Sequence, residues 1–380
     1  MNWQVVRGLS LRGHRCRALA PMASNADGKT GALADALADV DVTRFPVAHF
    51  VVSEDRFAET YLEAEGAEVI PRQQALVKDD RPDLVIFGRE IYLLHVLEAF
   101  RAQNIPTVLI AHDGSLPQRY LTGRFTQAVG SKLLQHFHSV TRVVAVAAHL
   151  LNSWKKVGLR NIMLIPNAID GSTFSPCPKD LRLLNTLQIR KDATVAMHAS
   201  NLKAVKRPMD VVLSAREALE HNRGLVYVVV GDGIFRARME EMCRKEQIAE
   251  CFRFTGWVPR DSVPALLNLA DMVIMPSEEE GRCLVCLEAQ ACSKLVLAAD
   301  IPAARDMIVD GKNGLLFRLG DISELTQKTL HAAANPALRL QIGAQARQSA
   351  LSWSLEDMVS AYESVIQEVV SQKTDDTERA

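Results

Sequence analysis

The feature that most constrains this 380-residue chain is an alternation: short runs of β-branched residues recur between longer amphipathic stretches. Parallel strands joined by crossover helices have this pattern, because each parallel connection must carry the chain back across the sheet. The expected strands are Arg15–Ala20, Leu84–Phe87, Thr107–Ala111, Arg142–Ala145 and Met163–Ile165. A second series follows with Thr194–Ala199, Leu225–Val230, Phe252–Thr255, Met272–Met275 and Leu295–Ala298. Between the series lie Pro166-Asn167-Ala168-Ile169-Asp170-Gly171, Pro176 and Pro178, the punctuation expected of a linker. The length suits two domains better than one core. The expected fold class is therefore α/β, with two doubly wound domains at 1–167 and 168–353 whose facing strand ends form a cleft. A helix over 354–370 is expected to pack back on the first domain, and the polar segment 371–380 is expected to be a disordered tail.

The first half departs from this plan at its start. A doubly wound domain begins with a strand and a glycine-bearing turn, yet the chain opens in the amphipathic stretch Asn2–Leu11. The expectation is that the opening strand, central in the usual order, is absent here, and that either the natural start lies upstream or another segment substitutes for it. A version extended upstream by a strand and a Gly-rich turn is expected to be more soluble, more stable and more active, because unpaired strand edges invite aggregation.

Composition narrows the function. With 44 basic and 45 acidic residues the net charge is −1, which argues against a nucleic-acid binder. No apolar run reaches membrane-span length, and the first residues lack the apolar core of a secretory signal, so the expected location is the cytoplasm. The seven cysteines are irregularly spaced and read as reduced thiols. Cys283, Cys286 and Cys292 cluster without a second Cys or His pair nearby, which favours small packing residues over a zinc site. No metal is expected.

The stretch from Pro276 to Ala289 carries the most chemistry. It follows a buried strand and runs into a helix, at the end of the sheet where α/β proteins bind ligands. A helix start there offers unpaired amides and a positive dipole end, which suits a diphosphate. Glu280 and Glu288 are eight residues apart, about 12 Å along a helix. That is too far for both to flank one glycosidic bond, which needs about 5 to 9.5 Å. It suits the two ends of an extended ligand, although spacing alone leaves open a solvated acidic loop.

This stretch resembles the E-x7-E segment of glycosyltransferase family 4. Ile165-Pro166-Asn167-Ala168-Ile169-Asp170 is similar to the family's I-P-N-G-V-D linker, and Val230-Gly231-Asp232-Gly233 to its V-G-D-G turn. Phe254-Thr255-Gly256 resembles its F-T-G turn, Asp310 to Phe317 its D-G-x-N-G-x-L-F segment, and Ser352-Trp353 precedes a final helix as in the family. The resemblance covers roughly residues 140 to 365. Arg282-Cys283 stands where the family has Phe-Gly, and Ser293-Lys294-Leu295 where it has Gly-x-Pro. In His198 to Arg207, Lys206 falls on the family's diphosphate lysine and Asn201 on its arginine, a bidentate fork that Asn cannot replace. Lys203 or Arg207 is the candidate to restore that charge. The S-N-x-x-x-V-K-R form is similar to that of N-acetylglucosaminyl L-malate synthases.

The resemblance implies the GT-B fold of two Rossmann-like domains and transfer of a hexosyl group from a nucleoside diphosphate sugar to an acceptor hydroxyl. It implies retention of configuration and no essential metal or cofactor. The implied catalytic residues are Glu280 at the sugar, Lys206 at the diphosphate and His112, which ends the strand Thr107–Ala111. Without the family context a lone strand-end His is more often structural. The implied donor-binding residues are Glu288 on the ribose, Asn201, Lys203, Arg207, Gly231, Gly233, Gly256, Trp257, Gly281, Arg282, Cys283 and Leu284. The implied partners are a nucleotide sugar and an acceptor of unknown identity. A lipid-linked acceptor would bring the protein to the inner face of the membrane. The alternative is a non-catalytic or truncated sugar-nucleotide-binding protein, to which the missing strand points. A nucleotide-sugar epimerase fits the E-x7-E set less well, and a dinucleotide oxidoreductase lacks its G-x-G-x-x-G.

Overall fold

The computed structural model describes residues 2–23, 41–47, 81–88, 97, 100–112, 116–117, 121 and 134–378. It divides into two compact units: Met1–Asn167 with Leu355–Ala380, and Ala168–Ser354.

The first unit opens with the helix Asn2–Leu11, and its strands fall in two parallel sheets among the described residues. β1 (Arg17–Ala23) pairs with β2 (Asp41–Val47). β3 (Val85–Phe87), β4 (Thr107–Ala111), β5 (Arg142–Ala145) and β6 (Ile162–Leu164) form the other, in chain order. β1 starts two residues later than expected and runs on through Pro21; β2, which contains Pro46, is not among the expected strands. Both prolines are tolerated because each strand of a two-stranded sheet is an edge, where a missing N–H costs little. β4 and β5 carry the core of their sheet, with Val108, Leu109, Ile110, Ala111, Val143, Val144 and Ala145 all buried.

The chain's last helix, Leu355–Glu378, belongs to this unit. Met358, Val359, Tyr362, Val365 and Val369 form its buried stripe at helical spacing. It packs against Asn2–Leu11, whose Val5 and Leu9 are buried. At the edge of this contact Arg12 donates to Glu363 at 2.7 Å and to Ser360 at 2.8 Å, and His14 lies 2.8 Å from Glu363. This helix runs on past Ser371 to Glu378. The segment holds neither Gly nor Pro, so a helix already nucleated by its packed turns can propagate through it.

The second unit is built on one six-stranded, wholly parallel sheet in the order β12-β11-β10-β7-β8-β9. Its strands are β7 (Thr194–Ala199), β8 (Leu225–Val230), β9 (Phe252–Gly256), β10 (Met272–Met275), β11 (Leu295–Ala299) and β12 (Leu315–Phe317). β10 and β11 are buried throughout, as a parallel strand covered by helices on both faces requires. From β7 the chain builds outward through β8 and β9, then returns to β7's other side with β10 and builds outward again. The crevice outside the carboxyl ends of β7 and β10 is thus the switch point of this sheet, the place where open α/β sheets bind ligands.

Candidate functional site

A cavity of about 200 Å³ opens at that switch point. Its walls come from the ends of β7 (His198, Ala199) and β10 (Val273, Ile274, Met275) and from the loops that follow them. Ser200, Asn201 and Lys206 line it from the first loop; Ser277 and Glu280 come from the second, and Cys283 to Cys286 from the following helix start.

The first loop is shaped by its neighbour. A Cβ on Gly231 would lie 2.0 Å from the Ser200 carbonyl oxygen, and one on Gly233 would lie 2.6 Å from that of Leu202. Gly231 also has φ +115°, a conformation that L side chains rarely adopt. The V-G-D-G turn therefore packs backbone to backbone on residues 200–202, with Leu202 N–H donating to Asp232 at 3.0 Å. The second loop is tied across the cavity by Glu278 N–H donating to Val205 at 3.0 Å. That bond sets Glu280 opposite Lys206, whose Nζ donates to Glu280 Oε1 at 2.6 Å.

The helix Leu284–Ala291 begins at the cavity with Cys283 as its N-cap residue, and no side chain caps it. Its first amides have no intrahelical partner, and Leu284, Val285 and Cys286 line the cavity. The estimate of about 12 Å between Glu280 and Glu288 assumed a single helix. It is corrected, because Glu280 lies in the loop before the helix.

Glu288 is on the helix proper, its side chain 2% exposed, and does not line this cavity. Arg260 donates to it at 2.6 Å, and the same guanidinium sits 5.3 Å from the centre of the Phe174 ring. Burial raises the Glu288 pKa, and the charge of Arg260 opposes that rise.

The remaining expected donor residues separate. Asn201, Leu284 and Cys283 line the cavity with Lys206 and Glu280. Lys203 is exposed and outside its walls. Arg207, with a left-handed backbone (φ 46°), is likewise outside the walls; it donates to Asp210 at 2.7 Å and lies 3.9 Å from Glu278. Arg282 is also outside the walls; its Nε is buried with no hydrogen-bond partner, and burial lowers its pKa against the opposing charge of Asp306. Gly231 N–H donates to the Gly256 carbonyl at 2.8 Å, and Trp257 beside it is 45% exposed. Gly281 lies between Glu280 and the helix cap. His112 follows β4 in the first unit, half-buried; Asp113 lies outside the described residues.

Sequence reasoning missed the pair His198 and Ser200. His198 is buried, with Nδ1 3.0 Å from the Ile274 carbonyl and Nε2 2.8 Å from Ser200 Oγ. A carbonyl only accepts, so Nδ1 carries the proton, and Nε2 of the neutral ring accepts a hydrogen bond from the Ser200 hydroxyl. Burial pushes His198 down to about 4, with the Lys206 charge adding to the fall. The available signal was an imidazole one residue before the end of a largely apolar strand.

All seven cysteines are free thiols. Among the described residues no three His, Cys, Asp or Glu could hold a metal ion, and no helix is long and apolar enough to cross a membrane.

Comparison with known proteins places the fold first. HepE from Anabaena, solved in complex with UDP-glucose, matches with a TM-score of 0.78 at 19% identity, covering 97% of this chain and 96% of that one. Sucrose-phosphate synthase from Thermosynechococcus elongatus matches with a TM-score of 0.80 at 13% identity, covering 97% and 92%. The fold is that of the two-domain GT-B glycosyltransferases.

Two family models then account for most of the sequence: Glycosyltransferase Family 4 over residues 2–172 and Glycosyl transferases group 1 over 182–349. The chain belongs to the family 4-like glycosyltransferases. N-acetyl-alpha-D-glucosaminyl L-malate synthase from Bacillus anthracis is 28% identical over 233 residues, 60% of this chain and 60% of that protein. Two other curated relatives are matched over 25% and 45% of their lengths, so the chain spans well under two thirds of these relatives.

Proposed function

We propose that the chain transfers a hexosyl group from a nucleoside diphosphate sugar, held in the second unit, to an acceptor hydroxyl with retention of configuration. The observation that carries this is the Lys206–Glu280 pair at 2.6 Å, set in a cavity at the sheet's switch point. The pair offers a cation and a carboxylate within one ligand's reach, beside the open amides of a helix start. A diphosphate entering the cavity takes over Lys206 and the helix amides, which stabilise the charge that grows as the sugar–phosphate bond breaks. Glu280, released from Lys206, accepts hydrogen bonds from sugar hydroxyls. No residue of the cavity is needed as a nucleophile if the leaving phosphate takes the acceptor's proton. Glu288, already partnered by Arg260, is the candidate to hold the ribose end. The UDP-glucose bound by HepE and the sugars named in the relatives support a nucleotide-sugar donor. The acceptor is read by the first unit, where His112 is the proposed contact.

The test is direct: the protein is incubated with UDP-, GDP- and ADP-linked hexoses and a panel of alcohol, glycan and lipid-linked acceptors. Release of nucleoside diphosphate is followed, and the product's anomeric configuration is read by NMR. Product with the donor's configuration supports the proposal, and the opposite configuration overturns retention. A second reading, a sugar-nucleotide-binding protein without transfer, is favoured by the separation of β1-β2 from β3-β6 among the described residues. Tight donor binding with no turnover on any acceptor would select it.

A further inference from the structure

Cys283-Leu284-Val285-Cys286 is a C-x-x-C set at the start of a helix, with the first thiol on the N-cap residue (φ −69°, ψ 98°). Residues three apart on a helix stand on the same face with Cβ atoms about 5–6 Å apart. A disulfide needs about 3.5–4.5 Å, so a small movement of the non-helical N-cap residue suffices to bridge them. Both cysteines line the cavity that holds Lys206 and Glu280, whereas Cys292, at the far end of the same helix, does not. Cys283 is 8% exposed and Cys286 fully buried, its S–H donating to Met275 Sδ at 3.1 Å. Packing alone explains a buried Cys286; it does not explain a second thiol three residues earlier at the wall of the same cavity.

We propose that Cys283 and Cys286 are a redox-sensitive dithiol that a low-molecular-weight disulfide converts to a protein disulfide, and that this closure blocks donor binding. The second clause rests on the donor-site reading above. Cys283, the thiol with access from the cavity, attacks one sulfur of the small disulfide as its thiolate; that S–S bond breaks and releases one small thiolate, leaving a mixed disulfide on Cys283. Cys286 then attacks the Cys283 sulfur, expelling the second small thiolate, which takes up the Cys286 proton and leaves as a thiol. Two protein thiols are oxidised and one small disulfide is reduced to two thiols. The hydrogen bond to Cys283 and burial hold the Cys286 thiol well above its ordinary range, which suits the resolving partner rather than the attacking one. Closure draws Cys283 onto the first helical turn, and Glu280 lies only three residues upstream on the same loop. The carboxylate therefore moves relative to Lys206, and the cavity's walls close on the helix amides.

The test uses the full reduced chain with oxidised glutathione as the oxidant and UDP, GDP and ADP as binding probes. The expected result is a mass decrease of two hydrogens, a peptide map linking Cys283 to Cys286, and nucleotide affinity lowered at least about tenfold and restored by reductant. Cys286→Ala should instead stop at a glutathionyl adduct on Cys283, each variant being compared with its own reduced form. Glutathionylation of the exposed Cys177 with Cys283 and Cys286 left as thiols overturns the proposal. A mapped Cys283–Cys286 disulfide with affinity changed by less than about twofold overturns the blocking. If the reduced protein binds no nucleotide, the donor-site reading falls and the blocking with it, while the peptide map still decides whether the pair closes.

Discussion

At the scale of single residues, the site is defined by which charges are already partnered. Lys206 meets Glu280 inside the cavity, whereas Lys203 stands outside it and Arg207 is held by Asp210. Lys206→Ala should therefore lower turnover by about 10²–10³-fold, the cost of removing one preorganised charge from a developing anion. Lys203→Ala should change turnover little, and steady-state kinetics on both variants would decide between them. An equal loss in the two would mean that the loop reorganises around the donor. His198 predicts a pH effect. Its folded pKa, about 4, lies below the ordinary 6.5, so between those values the unfolded chain binds the extra proton. Stability should fall as pH drops through that window, by on the order of 3 kcal/mol in all. Urea midpoints across the window should show the fall in the wild type and a flatter profile in His198→Gln.

At the scale of elements, the strands and turns of the second unit were largely legible. β7, β8 and β10 lie where their apolar runs predicted, because a buried parallel strand announces itself by continuous hydrophobicity. β12 was read only as a motif segment, since three residues in a Gly-rich stretch carry too little pattern. β2 was missed because Asp41, Arg44 and Pro46 interrupt its alternation. The V-G-D-G turn gives the element-scale prediction. Gly231→Ala sets a Cβ against the Ser200 backbone in a strained conformation and should cost at least about 1–3 kcal/mol as well as nucleotide affinity. Gly311→Ala, at φ +73° with open space around it, should show only backbone strain of about 1 kcal/mol. Thermal melts with and without nucleotide would separate the two; equal behaviour would remove the turn from the site.

At the scale of the molecule, the last helix is discontinuous with the unit it completes. Its five buried side chains each contribute about 1.5–3 kcal/mol, more than a first unit with short sheets can readily lose. A chain ending at Ser354 should lose the first unit's cooperative unfolding transition and expose Val5 and Leu9. The second unit, with its own six-stranded core, should keep its transition and bind nucleotide. Calorimetry of the truncated and full chains would test this, and loss of both transitions would show that the units fold as one.

The sequence by itself determined the α/β class, the positions of most strands in the second unit, and the loops that carry Lys206, Glu280 and the glycine turn. These follow from local periodicity and from motifs whose residues are neighbours in the chain. Only the tertiary structure decided that Lys206 and Glu280, 74 residues apart, would pair. It alone decided that Glu288 would be claimed by Arg260, that His198 would be held neutral beneath Ser200, and that Cys283 and Cys286 would share the cavity wall. Each of these depends on β10 returning to the side of β7, a choice of strand order made by the burial of whole helices and sheets rather than by any local run of residues.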